Sequence, residues 1–253
     1  MLEHYLRERR EQRDVLLMTH IVIGYPDLDT SLRTVEIMVE NGVDVMELQV
    51  PFSEPIADGP IILHANQKAL NAGVRVEDCF EFAHQVASRF DIPFLFMSYY
   101  NILYQYGVDA FIARMGEIGL KGSIVPDLPP EEANTYLDAM QTHGLDPIFI
   151  YSPSTTDERL KYIAQCAGGF IYCVARKGVT GADTAFSGEL VDYLDRCRKA
   201  TDLPLAVGFG VQDRDDVAFL KGRADIAVVG SQSLRVLDAD GVDAVGGLIR
   251  SLV

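Results

Sequence analysis

The segment "MELQVPFSEPIADGP", residues 46–60, holds two carboxylates that bracket a short loop. Glu47 lies inside an apolar run, and Asp58 stands beside Gly59 and Pro60. The stretch between them is too rich in proline for a strand and too apolar for an ordinary solvent loop. Within "VDVMELQV" (43–50), strand alternation places Val45, Glu47 and Gln49 on one side and Met46 and Leu48 on the other. Met and Leu suit a layer between strand and helices, so Glu47 is expected to face inward. A carboxylate there needs partners, and desolvation favours its protonated form. Such a group suits acid–base work near neutral pH. A structural glutamate bonded to nearby backbone fits the same pattern. Asp58, taken alone, reads equally as the N-cap of the helix "PIILHANQKALNAG".

A second constellation is rich in glycine. "RKGVTGA" (176–182), "GFGVQD" (208–213) and "GSQS" (230–233) each follow an apolar run. They carry Gly178, Gly181, Gly208, Gly210, Gly230 and Ser231. Backbone N–H groups at such turns and at a helix N-terminus form an anion cradle, and glycine lets the backbone approach the ligand. Tyr172, Tyr99 and Asn101 are expected near the same place, although each one singly is more often packing.

The elements that must position these groups recur along the chain. Eight short apolar runs stand at 16–23, 43–50, 92–99, 122–126, 146–151, 169–175, 203–209 and 224–230. Amphipathic stretches separate them, several closing on glycine. Near-continuously apolar strands imply a sheet covered on both faces, hence parallel βα units. Eight units in 253 residues match a single-domain (β/α)8 TIM barrel over 1–253, with an N-terminal helix at about 2–13. An open doubly wound sheet is the alternative, but the first strand is followed by "IGYPDLD" and not by GxGxxG. In a barrel, function sits on the loops after the strands, which is where both constellations fall.

Net charge is −15, which argues against nucleic acid or an anionic membrane as partner. Oriented amides would reconcile that charge with an anionic ligand. The charged N-terminus lacks a signal-peptide core, and no apolar run approaches a membrane span, so a cytoplasmic protein is expected. Cys79, Cys166, Cys173 and Cys197 form no CxxC pair and read as reduced core thiols. The histidines show no ligand spacing, so no metal is expected. None of Lys68, Lys121, Lys161, Lys177, Lys199 and Lys221 stands convincingly inside a strand, which disfavours a Schiff-base aldolase. Acid–base catalysis by two carboxylates on a phosphorylated substrate remains.

These motifs resemble the tryptophan synthase α subunit family, whose usual signature reads E-L-G-[IV]-P-F-S-[DE]-P-x-A-D-G-P. "SYYNILYQYG", "VPDLPPEE", "SPSTTDERL", "GVTGA", "VGFGV" and "VVGS" follow in family order, so the likeness covers roughly residues 15 to 235. It implies a (β/α)8 barrel that cleaves indole-3-glycerol phosphate to indole and glyceraldehyde 3-phosphate. It further implies that Glu47 is the acid–base residue, that Asp58 bonds the indole N–H, and that Tyr172 lines the site. Gly181, Gly210, Gly230 and Ser231 match the phosphate cradle, with His20, Gln49, Tyr99, Thr180 and Phe209 around the substrate. Residues 176–189 match a lid. The family carries no cofactor in this chain and pairs with a pyridoxal-phosphate β subunit, as an α2β2 heterotetramer. Pro51, Phe52, Ser53, Pro55 and Asn101 match contact regions for that partner. Gln49 stands where the family usually has Gly, where it would crowd the substrate and bond Glu47. His20 takes an aromatic position, Val22 a Thr and Gln232 an Ala. These departures leave two other readings open: a weakly active subunit that mainly binds and activates a β subunit, or a barrel enzyme for another phosphorylated substrate.

Overall fold

The computed structural model describes residues 2–175, 188–208 and 210–253. Eight parallel strands form the closed barrel: β1 (Leu16–Val22), β2 (Val45–Gln49), β3 (Phe94–Met97), β4 (Gly122–Ile124), β5 (Asp146–Tyr151), β6 (Ile171–Val174), β7 (Leu205–Gly208) and β8 (Ile226–Val229). Each pairs with its sequence neighbour, and β8 closes onto β1 through Leu16↔Ile226 and Met18↔Val228. All eight lie within the expected apolar runs. Most are shorter, because the ends of those runs turn out into the loops. Pro126, for one, has no N–H to give a ladder, and β4 stops before it.

Alternation sorts the strand residues into two apolar layers. Leu16, Met18, Val45, Leu95, Ile148 and Ile226 fill the barrel interior. Met46, Leu48, Phe96 and Val207 face the surrounding helices. The side assigned to Val45, Glu47 and Gln49 is therefore the interior one.

The helix Leu2–Arg10 closes the bottom of the barrel. Leu2 and Leu6, one turn apart, are buried in the interior cluster. Burying each contributes roughly 1.5–3 kcal/mol. The helix stops at Arg10, short of the expected 13. Beyond it the chain turns so that Arg13 Nη1 donates to Gly42 O (2.8 Å) and pairs with Asp44 (3.2 Å). Arg9 reaches the same carboxylate at 2.8 Å. With the bottom sealed, the top mouth is the open end.

Candidate active site

Parity and register build the carboxylate end. β1 and β2 pair so that His20 stands opposite Glu47 and Val22 opposite Gln49. His20 Nδ1 and Glu47 Oε1 are hydrogen-bonded at 2.9 Å, and both residues are almost wholly buried. Gln49, one pleat further up, does not bond Glu47. Its Nε2 donates to Asp58 Oδ2 at 2.7 Å. Tyr99 OH donates to the same oxygen at 3.1 Å and accepts from Ala57 N–H at 3.1 Å. Asp58 is thus held from below by two buried side chains. The helix Pro60–Asn71 takes Gly59 as its N-cap, with no side-chain cap bond. The N-cap alternative for Asp58 is overturned, because its carboxylate is turned back over the barrel.

A cavity of about 300 Å³ opens above this end, with every strand contributing to its wall. His20, Glu47, Asp58 and Tyr172 line one side. Gln49 and Tyr99, expected in the pocket wall, are fully buried behind it and support Asp58. Val22 packs in the layer between strands and helices. Burial raises the pKa of Tyr172 well above that of a free phenol, and the Glu47 and Asp58 charges raise it further. Near neutral pH this hydroxyl stays protonated and serves as a hydrogen-bond donor, not as a base. For His20, burial pulls the imidazole pKa down. The hydrogen bond and charge of Glu47, the charge of Asp58 and contact with Gln49 outweigh it, and the net direction is upward.

The opposite side of the cavity is lined by glycine turns and a helix N-terminus. Gly210, with φ of +89°, turns the chain leaving β7. The helix Ser231–Asp240 starts at Gly230 without a side-chain cap; the Ser233 N–H bonds Gly230 O at 3.1 Å, and the Ser231 and Gln232 N–H groups stand at the positive end of the helix dipole. Gly210, Gly230 and Ser231 all line the cavity, with Gln232 and Arg235. Arg235 was not singled out in the sequence. Its signal was present, since it stands one helical turn after Ser231 and shares that face. Arg235 Nη1 donates to Gln232 Oε1 at 3.3 Å. Gly208 also lines the cavity, and a Cβ there would lie 3.2 Å from both Cε1 and the hydroxyl of Tyr172. The ring occupies the space a side chain would take.

Three expectations fall elsewhere. Thr180, Gly181 and Phe209, and the lid segment apart from residues 188–189, lie outside the described residues. Asn101 sits exposed on the helix Tyr100–Tyr106 and away from the cavity wall, because β3 ends at Met97. Of the residues matched to a partner surface, Pro51 and Pro55 are buried within this chain, while Phe52 is half-buried and stacks on Tyr99 at 5.1 Å between ring centroids. The loop's exposed residues are Ser53, Glu54, Ile56 and Ala57. Its apolar composition is thus divided: Pro51 and Pro55 serve burial within the chain, while Ile56 is 81% exposed. Among the described residues, no three His, Cys, Asp or Glu side chains cluster as metal ligands.

Paired carboxylates facing an anion cradle at the C-terminal mouth of a (β/α)8 barrel define an acid–base enzyme site for an anionic substrate. Residues 6–247 match the family described as tryptophan synthase alpha chain. The alpha chain of Desulforapulum autotrophicum is 64% identical over 252 residues, covering 100% of both chains. That of Syntrophotalea carbinolica is 66% identical with the same coverage. The solved structure of Mycobacterium tuberculosis tryptophan synthase is similar at a TM-score of 0.91 and 35% identity, covering 99% of this chain and 96% of that one. The chain belongs to the tryptophan synthase alpha chain family.

Proposed function

We propose that this chain is a carbon–carbon lyase of tryptophan biosynthesis, cleaving indole-3-glycerol phosphate into indole and glyceraldehyde 3-phosphate. The observation that carries the reading is the polarity of the cavity. Glu47 and Asp58 line one side, and an uncapped helix N-terminus with Arg235 lines the other. A substrate with an aromatic N–H at one end and a phosphate at the other fits that arrangement.

In this mechanism Glu47 delivers a proton to indole C3, and the positive charge appears at the ring nitrogen. Asp58 accepts the ring N–H bond and stabilises that charge. Glu47, now a carboxylate, takes the proton of the hydroxyl on the carbon joined to C3. The carbon–carbon bond then breaks, its electrons return to the ring, and the aldehyde leaves. One proton enters and one departs, so neither a lysine nor a metal is called for. Tyr172, kept protonated, donates a hydrogen bond within the site. Gly210, Gly230 and Ser231 hold the phosphate through backbone N–H groups, with Gly181, Thr180 and Phe209 assigned to the same site by the family pattern.

The same reading gives the chain a pyridoxal-phosphate β subunit as partner, in an α2β2 assembly in the cytoplasm, with Phe52, Ser53 and Asn101 at the contact. The test is indole release from indole-3-glycerol phosphate by the full chain, alone and with a β subunit. Release that a β subunit accelerates supports the proposal. No release under either condition overturns the lyase reading, and release from a different phosphorylated substrate alone replaces it.

A further inference from the structure

At the carboxylate end, two buried polar atoms find no partner among the described residues: His20 Nε2 in the cavity wall and Gln49 Oε1 behind it. Unpartnered buried polar atoms are costly, so a pair of them beside a reaction site calls for an explanation. They belong to side chains whose other ends are both engaged, His20 with Glu47 (2.9 Å) and Gln49 with Asp58 (2.7 Å). With Glu47 Oε1 as the acceptor, His20 Nδ1 carries the hydrogen. Gln49 Nε2 donates, which fixes its Oε1 as the free acceptor. The complement of that acceptor is a hydrogen on His20 Nε2. A doubly protonated His20 would satisfy both sides.

Charge points the same way. Glu47 and Asp58 share one cavity with His20, and the negative charge of each favours the protonated imidazole. The groups around the imidazole are Glu47 and Gln49 from β2, Asp58 from the loop above, Tyr99 behind Asp58, Tyr172 across on β6, and Arg235 on the far wall. The phenols are neutral, and among the described cavity-lining residues only Arg235, on the phosphate side, is a permanent cation. An imidazolium at position 20 is the group placed to offset the two acids.

We propose that His20 and Gln49 are positioning residues that tie the two acids into one network: a positively charged His20 holds Glu47 through Nδ1, and Gln49 holds Asp58 through Nε2 while turning its carbonyl to His20. This rests on the lyase reading for its consequence but not for its existence. Glu47 is anchored at the imidazole and Asp58 at the amide, so both acids keep a fixed orientation before substrate arrives. The upward direction of the imidazole pKa, with contributions from Glu47, Asp58 and Gln49, agrees with this arrangement.

The test is a pH titration of the imidazole nitrogens by NMR on the full-length, nitrogen-15-labelled chain, with His20 assigned from the signal lost in His20→Phe. Wild-type His20 is expected to lose its second proton clearly above 6.5, the ordinary value. Glu47→Gln should lower that midpoint by at least about one unit, a tenfold change in proton affinity. Gln49→Gly should lower it by less. A wild-type midpoint at or below the ordinary value, or one unmoved by Glu47→Gln, overturns the proposal without any substrate being present. A kinetic arm then reads the consequence. His20→Phe should lower kcat by on the order of tenfold and displace the pH profile of kcat, with a smaller change in KM. His20→Gln keeps a hydrogen bond without the charge and should not restore the profile; full restoration by Gln would overturn the role of the charge. Because the titration needs no turnover, failure of the lyase reading and failure of this network are read separately.

Discussion

At the bottom of the barrel, Asp44 is buried and accepts from Arg9 (2.8 Å), Arg13 (3.2 Å) and the backbone of Leu17 (3.0 Å). Asp225 likewise takes Arg10, Arg198 and the Leu205 N–H. At the top, Glu47 and Asp58 are held by a histidine, a glutamine and a tyrosine. Both ends bury acids against strand ends, yet one end uses permanent cations and the other uses groups that gain, lose or share protons. Arginine stays charged at any physiological pH and saturates its partner. The top set leaves charge and hydrogen-bonding capacity open, as a reacting centre requires. The contrast separates acids that brace the fold from the two acids to which the proposed chemistry is assigned.

The strongest way to break the comparison is Glu47→Gln. Turnover should fall by about 10²–10⁴-fold, measured as indole release, with the melting temperature close to wild type; retained turnover would move Glu47 to the bracing class. Asp44→Ala should do the reverse. It leaves the Leu17 N–H and two arginines without their acceptor, costing about 1–3 kcal/mol, while indole release per folded molecule holds; denaturant unfolding with a parallel assay decides. Next comes Gly210→Ala. The φ of +89° disfavours any side chain by roughly 1 kcal/mol, and the displaced backbone should raise KM several-fold more than it lowers kcat. Steady-state kinetics separate the two. The smallest effect is a pH dependence of stability. The folded-state pKa of His20 lies above its ordinary 6.5, so the folded protein binds the proton more tightly than the unfolded chain. Its contribution is fully present below 6.5 and is lost as pH rises through the folded value. The melting-temperature gap between wild type and His20→Phe should therefore narrow with rising pH. A constant gap would make His20 as inert as the arginine pairs.

Much of this arrangement was legible in the sequence, and what was not has a common cause. Strand parity places Glu47 inward because Met46 and Leu48 on the other side are large and apolar. Eight apolar runs separated by amphipathic segments foretell the closed barrel, and glycines after the last strands mark the uncapped helix start at Ser231. Parity says which side a residue faces but not which distant group returns to meet it. Gln49 and Asp58 meet because the intervening loop folds back over the barrel, and no periodicity encodes that return. Tyr99 was recognised as a mouth residue, yet its role as the support of Asp58 depends on a hydroxyl reaching across from β3. Pro51 and Pro55, matched to a partner surface by the resemblance, are buried within this chain, and composition does not say which partner buries an apolar residue.

The seat of Tyr172 has a consequence for substrate choice. The ring rests where position 208 has no side chain, and an added methyl group would crowd it by a few tenths of an ångström. The width of the reaction chamber is thus set by an atom that is missing from β7, on a strand that bears neither carboxylate. Enlarging residue 208 would press the phenol into the chamber and exclude bulkier rings. Shrinking the phenol would admit them. In the proposed lyase, the width of the chamber is thus set apart from the acids assigned to the chemistry, so the one can be altered while the other is left intact.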